Sequence, residues 1–304
     1  MKLQEQFVKS VRLYFQEKGE AWLKELPNLI EFCEQNWSLK LQEPYSLSVN
    51  YVAPAVRNDG KEVVVKICIP GEGFLDELEA LRLYKGKGMV RLIDFDQNYG
   101  ILLLEKLSPG ITLAKKIDCD EEACQIAAKV MQKLSTPAPA HTRIPTTKIR
   151  EENLRNIIKR HPDGLGPISK KELKKALHIF TYLNETMQKP MLLHGDFHHY
   201  NILASGEEEW TAIDPKGLIG EVEYDLIQFM LNKLPDYGMK QLIAKRVEIF
   251  TNELNLNKER LLLWGYCHTV LATAWTVDGE EFEENFYQGI SVFKQLFDVQ
   301  YGKL

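Results

Sequence analysis

The pattern of apolar residues changes once along this chain, at about residue 105, and that change limits the folds open to it. Before it, β-like runs at Tyr45–Val52, Val63–Ile69, Met89–Asp94 and Ile101–Glu105 alternate with the turn signals Asn58-Asp59-Gly60, Pro70-Gly71 and Asn98-Tyr99-Gly100. Between the second and third runs, Phe74, Leu75, Leu78, Leu81 and Leu83 recur at helical spacing, and Gly86 and Gly88 end the helix. Residues 1–40 are helical in spacing too (Phe7, Val11, Tyr14, Phe15, Leu23, Leu26), with a break expected at Pro27 before Leu29, Ile30 and Phe32 resume it. After Ser108-Pro109-Gly110 the chain reads as helices over about 120–135, 170–188, 222–234, 239–254, 258–277 and 280–298. A Pro- and Thr-rich loop at 135–147 and short β-like runs at Met191–Leu193 and Trp210–Ile213 interrupt them. The expected class is α+β in two lobes. Residues 1–105 supply a helical segment and a small antiparallel sheet with one inserted helix; residues 106–304 supply a larger, mainly helical lobe. A cleft between two such lobes is a default ligand site.

Composition narrows the partners. A net charge of −5 and a pI near 5.9 argue against nucleic acid, which demands a concentrated basic face. Cys33, Cys68, Cys119, Cys124 and Cys267 are odd in number and lack paired-ligand spacing, so they read as reduced thiols of a cytoplasmic protein. The first fifteen residues show no continuous apolar run of a secretory leader. From Leu261 to Val277 seventeen residues pass without a formal charge, but Gly265, His268 and three threonines make this a buried helix rather than a membrane span.

The chemistry concentrates in Leu192-Leu193-His194-Gly195-Asp196-Phe197-His198-His199-Tyr200-Asn201-Ile202-Leu203, an apolar strand, a polar loop and a second strand. Asp196 and Asn201 stand at the spacing of a kinase catalytic loop. Phosphoryl transfer needs a carboxylate near the acceptor hydroxyl and oxygen ligands on Mg²⁺, and such a loop can point Asp196 at the first and the Asn201 amide oxygen at the second. Thirteen residues beyond Asn201, Ala212-Ile213-Asp214-Pro215-Lys216-Gly217 ends a strand on a carboxylate, so Asp214 becomes the main Mg²⁺ ligand. Oxygen donors of this kind suit Mg²⁺ better than zinc. Upstream, Lys66 lies within the apolar run Val63-Val64-Val65-Lys66-Ile67, and its charge needs a partner that Glu77 or Glu79 on the inserted helix can supply. The plainer readings, a snorkelling Lys66 and a turn in which His194 and Asp196 satisfy backbone groups, leave the order of these motifs unaccounted for.

That order resembles the aminoglycoside phosphotransferase superfamily, with its protein-kinase-like fold, and most closely the streptomycin 6-kinase and hydroxyurea-resistance kinase branch. The match is carried by Trp22-Leu23 with Leu26-Pro27, Tyr51-Val52-Ala53-Pro54-Ala55, Ala80-Leu81-Arg82-Leu83, Val90-Arg91-Leu92 and Leu102-Leu103-Leu104-Glu105. It continues through Leu193-His194-Gly195-Asp196-Phe197-His198, Ile213-Asp214-Pro215-Lys216-Gly217, Gly220-Glu221, Tyr224-Asp225-Leu226 and Ala274-Trp275, spanning roughly residues 20–290. The resemblance implies ATP and Mg²⁺ as cofactors, Asp196 as catalytic base, Asn201 and Asp214 as metal ligands, and Lys66 on the α/β-phosphates. It implies Glu77 rather than Glu79 as the lysine's partner, a hinge from Glu105 to Leu107 for adenine, and structural roles for His194 and Asp225. One departure stands out: the glycine-rich nucleotide loop of protein kinases is missing, since Asn50–Asp59 holds no glycine.

The acceptor is expected to be a small molecule bearing a hydroxyl, such as an aminoglycoside, an amino alcohol or a sugar. Trp275, Asp278, Glu280 and Glu281, followed by Glu283 and Glu284, form an acidic rim beside an aromatic that suits a cationic acceptor; an ordinary acidic helix start reads the same way. His198 and His199 follow the base, as loop supports or acceptor contacts. Two rivals stand beside the kinase. A metal-dependent hydrolase would gather His194, Asp196, His198 and His199 around zinc, and an idle nucleotide-binding module would keep the fold without transfer.

Overall fold

The computed structural model describes residues 3–304. The chain opens with helix α1 (Glu5–Asn36), whose one non-helical residue is Gln16 (φ 48°, ψ −128°). The break expected at Pro27 is absent: the helix runs through it, because Trp22, Leu26, Leu29 and Cys33 make one continuous buried stripe on either side of the proline. Strands β1 (Leu39–Leu41), β2 (Tyr51–Arg57), β3 (Glu62–Ile67), β4 (Leu92–Asp96) and β5 (Ile101–Glu105) form a five-stranded sheet in the order β1-β2-β3-β5-β4. Every neighbouring pair is antiparallel. Helix α2 (Glu72–Tyr84) is inserted between β3 and β4.

The strand expected over Tyr45–Val52 lies instead at β2, six residues later at its start, and it contains Pro54. The proline is tolerated because β1 pairs only as far as Ala55; the side on which Pro54 lacks an N–H has no ladder partner, and its carbonyl accepts from Gln42 N–H at 2.8 Å. The two sheet faces serve different cores. Ala53, Val63, Val65, Ile67, Ile101 and Leu103 pack on α1, whereas Leu102 and Leu104 pack with Phe74, Leu78 and Leu81 of α2 and onward into the helical lobe.

That lobe contains α3 (Leu113–Lys116), α4 (Asp120–Leu134), β6 (Thr136–Pro137), α5 (Lys148–Arg160), β7 (Gly164–Leu165), β8 (Ile168–Ser169) and α6 (Lys170–Glu185). It continues with β9 (Met191–Leu193), β10 (Ile202–Ala204), β11 (Trp210–Ala212), β12 (Leu218–Gly220), α7 (Val222–Asp225), α8 (Ile227–Met230), α9 (Met239–Leu254), α10 (Lys258–Thr276) and α11 (Glu284–Tyr301). Ser169 and Glu172 start α6 with a reciprocal capping box. Helix α10 is buried without interruption from Leu261 to Ala274, as its lack of charge foretold, and packs on α6 and α11. Gly265 lets α11 approach, since a Cβ there would lie 2.3 Å from the Phe293 ring. Among the described residues no helix is long and apolar enough to cross a membrane.

Two departures from the expected helices have clear causes. The segment 222–234 is two short turns, α7 and α8, rather than one helix. Arg246, fully buried, donates to the carbonyls of Phe229, Met230 and Asn232 at 2.7–3.0 Å and pairs with Asp120, which ends α8 at Met230, short of the expected 234. Helix α5 was not anticipated, because only Leu154 and Ile157 of its residues are buried and its apolar stripe is too thin to register.

Candidate active site

Alternation along β3 decides where Lys66 points. Its cross-strand partner on β5 is Leu102, on the α2 side of the sheet, so the lysine faces α2. There Glu77, on the buried face of α2, meets it: Lys66 Nζ donates to Glu77 Oε1 at 2.6 Å and Oε2 at 2.8 Å. Glu79 accepts instead from Thr142 Oγ1 at 3.4 Å, so the pairing left open by spacing falls to Glu77. Lys66 also donates to Asp214 Oδ1, a contact from the sheet to the helical lobe. Burial alone would lower the ammonium's pKa; the carboxylates of Asp214 and Glu77 outweigh it and raise it well above its ordinary value. Burial raises the Glu77 carboxyl, Lys66 pulls it back, and nearby Asp214 adds to the rise.

The loop between β9 and β10 is held at its start by Asp225, whose two oxygens accept from His194 N–H and Gly195 N–H, each at 2.7 Å. His194 fixes the next step. Its Nε2 donates to Ile213 O at 2.8 Å, so its Nδ1 is free to accept from Asp196 N–H at 3.2 Å. Both bonds require a neutral ring, and burial lowers its pKa to about 4, which keeps it neutral near pH 7. Asn201 closes the loop: its Nδ2 donates to Asp196 O at 3.0 Å and lies 3.3 Å from His198 Nε2. Its amide hydrogens are thus committed and its Oδ1 is left for another partner. Asn201 O also accepts from Ile213 N–H at 2.9 Å, which ties the loop to Asp214 one residue on.

Asp214 adopts a left-handed backbone (φ 60°), a conformation that aspartate tolerates better than most residues and that turns its carboxylate off the end of the strand. Burial works to raise its carboxyl, but Lys66 and Lys216 together hold it well below the usual range; Lys216 Nζ lies 3.1 Å from Oδ2. His198 Nε2 is 3.6 Å from Asp196 Oδ1. Lys66, Glu77 and Asp214 thus form one hydrogen-bonded group at the junction of the lobes, and the Asp196–Asn201 loop is tied to it through Ile213. Two carboxylates and an amide oxygen flanked by lysines are hard donors that suit Mg²⁺ and a polyphosphate. The imidazoles do not converge: His194 is used up by Ile213 and Asp196, and His199 stacks on Phe229 with centroids 3.7 Å apart. Among the described residues no cluster of three or more His, Cys, Asp or Glu is arranged to hold a metal, so the zinc-hydrolase reading lacks its geometry.

The remaining expected residues are more dispersed. The Glu105 carboxylate accepts from Arg91 N–H at 2.7 Å at the end of β5, and half-buried Leu107 follows in the connection between the lobes. Asp278, Glu280 and Glu281 are exposed on a tight turn closed by backbone bonds between Asp278 and Glu281, and among the described residues no hydrogen bond or ion pair joins them to the loop. Trp275 is 45% exposed, and the Arg150 guanidinium lies 5.3 Å from its ring centroid, taking the face expected for a cationic acceptor. Arg150 Nε is buried without a partner. Sequence reasoning missed Arg150 because it sits on the unanticipated α5. Lys216, within the Ile213–Gly217 motif, also lies at the site, against Asp214.

Fold and site together define a kinase that acts on small molecules: an antiparallel sheet carrying a Lys–Glu pair, set over an Asp-x4-Asn loop and a strand-end aspartate. The chain belongs to the aminoglycoside/hydroxyurea antibiotic resistance kinase family, whose profile matches residues 40–279. Streptomycin 6-kinase of Streptomyces griseus is 30% identical over 271 residues, covering 86% of each chain. Hydroxyurea phosphotransferase of Kitasatospora aureofaciens is 30% identical over 270 residues, covering 86% of this chain and 76% of that one. Among solved structures, a thermostable mutant of aminoglycoside phosphotransferase APH(4)-Ia, in ternary complex with ADP and hygromycin B, shares the fold. Its TM-score is 0.64 at 12% identity, over 91% of this chain and all of that one.

Proposed function

We propose that this chain moves the γ-phosphoryl group of ATP, with Mg²⁺, to a hydroxyl of an aminoglycoside such as streptomycin, in the cytoplasm, where its five free cysteines stay reduced. The observation that carries the reading is the contact of Lys66 with both Glu77 and Asp214, beside the loop that presents Asp196 and Asn201. Asn201 Oδ1 and the Asp214 carboxylate would hold the metal, which when bound neutralises phosphate charge. Lys66, fixed by Glu77, grips the α/β-phosphates, and the backbone from Glu105 to Leu107 receives the adenine. Asp196 Oδ1 or Oδ2 orients the acceptor hydroxyl and takes its proton as the new P–O bond forms and the bond from the γ-phosphorus to the bridging oxygen breaks, with ADP leaving. His194, neutral and doubly hydrogen-bonded, holds the Asp196 backbone in place. Asp196→Ala should lower kcat by about 10²–10⁴ while leaving the fold intact. ATP-dependent phosphorylation at near wild-type rate by that variant would remove the assignment.

A second reading of the acceptor rests on Arg150. A guanidinium already stacked on Trp275 repels a polycation, which favours a neutral sugar or an amino alcohol of low charge. An ATP-consumption screen over streptomycin, other aminoglycosides, hydroxyurea, choline-like amino alcohols and sugars separates the two. Turnover confined to uncharged acceptors displaces the aminoglycoside.

A further inference from the structure

Lys216 has no part in the roles assigned so far, yet its position is tightly specified. Its backbone N–H donates to His194 O at 2.8 Å, and Gly217 N–H shares that acceptor at 3.1 Å. A Cβ built on Gly195 would meet Lys216 Cβ at 3.3 Å, so the stem of the lysine lies against the start of the loop that carries Asp196. Its ammonium rests on Asp214 Oδ2 at 3.1 Å, while Lys66 occupies Oδ1. Its charge is also within electrostatic reach of Asp196 and Glu77. The two lysines differ in freedom. The Lys66 side chain is 5% exposed and held by two carboxylates, whereas the Lys216 side chain is 46% exposed and makes one hydrogen bond. Lys216 is the more exposed and less constrained cation of the site.

A second observation gives that cation a task. The connection between β1 and β2, residues 42–50, ends beside Lys66 in the sheet, since Val52 is the cross-strand partner of Lys66. It contains no glycine. A close backbone cradle of N–H groups around phosphates relies on glycines, so this connection is poorly suited to supply one. A phosphate end left without that cover needs a side-chain cation, and a lysine on a flexible stem serves as a point charge for phosphate.

We propose that Lys216 is a catalytic residue that binds the terminal phosphoryl group of the nucleotide, resting on Asp214 when no nucleotide is present and passing to the phosphate on binding. This rests on the nucleotide reading above. The move frees Asp214 Oδ2 for the divalent ion and keeps a positive charge where charge develops on the transferred group. No bond is made or broken by Lys216, which remains protonated throughout.

The test compares wild type with Lys216→Met, which keeps the stem and removes the charge, and with Lys216→Arg, which restores a cation. Dissociation constants for AMP, ADP and AMP-PNP are measured by calorimetry on the full chain in excess Mg²⁺. Lys216→Met should weaken AMP-PNP by about tenfold or more, the scale of one charge-assisted hydrogen bond, with less than about twofold change for AMP and ADP. Lys216→Arg should recover part of the loss. Without nucleotide, Mn²⁺ titrated by electron paramagnetic resonance should bind Lys216→Met several-fold more tightly than wild type, because Asp214 Oδ2 is no longer covered. Equal losses for all three nucleotides, no loss for any, or unchanged Mn²⁺ affinity would each overturn the proposal while leaving the nucleotide site standing. If wild type binds none of the three nucleotides, the nucleotide reading falls and takes the proposal with it.

Discussion

Asp225 offers the sharpest quantitative test of how the loop is held. Its side chain is 3% exposed and accepts two backbone N–H groups at 2.7 Å, from His194 and Gly195. Asp225→Ala leaves both donors buried and unpaired, at about 1–3 kcal/mol each, so the fold should lose about 2–6 kcal/mol. Asp225→Asn keeps one acceptor and turns an NH₂ against the other donor, for roughly half that loss. Urea unfolding at pH 7 reads both values directly. Because Asp196 follows Gly195, the loosened loop should also lower kcat by about tenfold to a hundredfold, the scale of a misplacement near 1 Å. ADP binding should be nearly unchanged, since the Lys66–Glu77 pair is untouched.

The same residue sets a pH signature. Burial pushes the Asp225 carboxyl up to about 7, with the Gly195 and His194 N–H groups pulling against it. A carboxyl whose folded pKa lies above its unfolded value contributes stability that is complete below about 4 and is lost as pH rises through 7. The stability gap between wild type and Asp225→Asn should therefore narrow with rising pH, by no more than about 1.4 kcal/mol per pH unit. Equal urea midpoints and equal kcat for Asp225→Ala would refute the clamp. A gap that widens with pH would show that the hydrogen bonds outweigh burial and hold the carboxyl ionised.

Three further outcomes follow from the packing. His199 and His268 are buried, and burial lowers both to about 3; as groups depressed on folding, they withdraw stability as pH falls below about 6.5. By pH 5 each should cost about 2 kcal/mol, partly offset by Asp225, and a urea midpoint equal at pH 7 and pH 5 in the Asp225→Asn background would contradict this. Arg246→Met should cost about 3–5 kcal/mol in urea unfolding, because it strands Asp120 and three carbonyls; a cost under about 1 kcal/mol would mean that water replaces the guanidinium. Gly265→Ala should destabilise by about 1–3 kcal/mol through collision with Phe293, and Phe293→Leu in the same chain should recover part of it; an additive double variant would deny the contact.

The elements readable from sequence are those in which one local rule dominates. Helix α10 announced itself by its uncharged run, and β5 by four consecutive apolar residues buried on both faces. Where two rules compete, the sequence misleads. Pro27 and Pro54 obey tertiary packing over their own backbone preference, α5 hides behind a two-residue apolar stripe, and α8 is ended by an arginine some sixteen residues downstream. The Asp196–Asn201 loop and Asp214 were compressed into two short motifs, so their neighbourhood in space could be expected from the chain alone. The pairing of Arg150 with Trp275 was not legible, because the two meet from helices more than a hundred residues apart in the chain.

The register of the sheet and the chemistry of the site are one constraint rather than two. Lys66 faces Glu77 only because Val63, Val65 and Ile67 take the α1 side of β3 and alternation sends Lys66 to the other. A slip of one residue between β3 and β5 would turn the ammonium into the cluster of Phe7, Trp22 and Leu26, where no carboxylate waits, and would place Val65 or Ile67 against Glu77. An unpaired buried charge at each end makes that slip costly by several kcal/mol. The ion pair that grips phosphates in the proposed reaction thus also selects the strand register that creates it, and replacing both members with apolar residues should leave a sheet of similar stability but weaker register. Backbone hydrogen exchange along β3 in Lys66→Met/Glu77→Leu would show it, by faster exchange at Val64–Ile67 against an unchanged urea midpoint; protection equal to wild type would mean that side-chain packing alone sets the register.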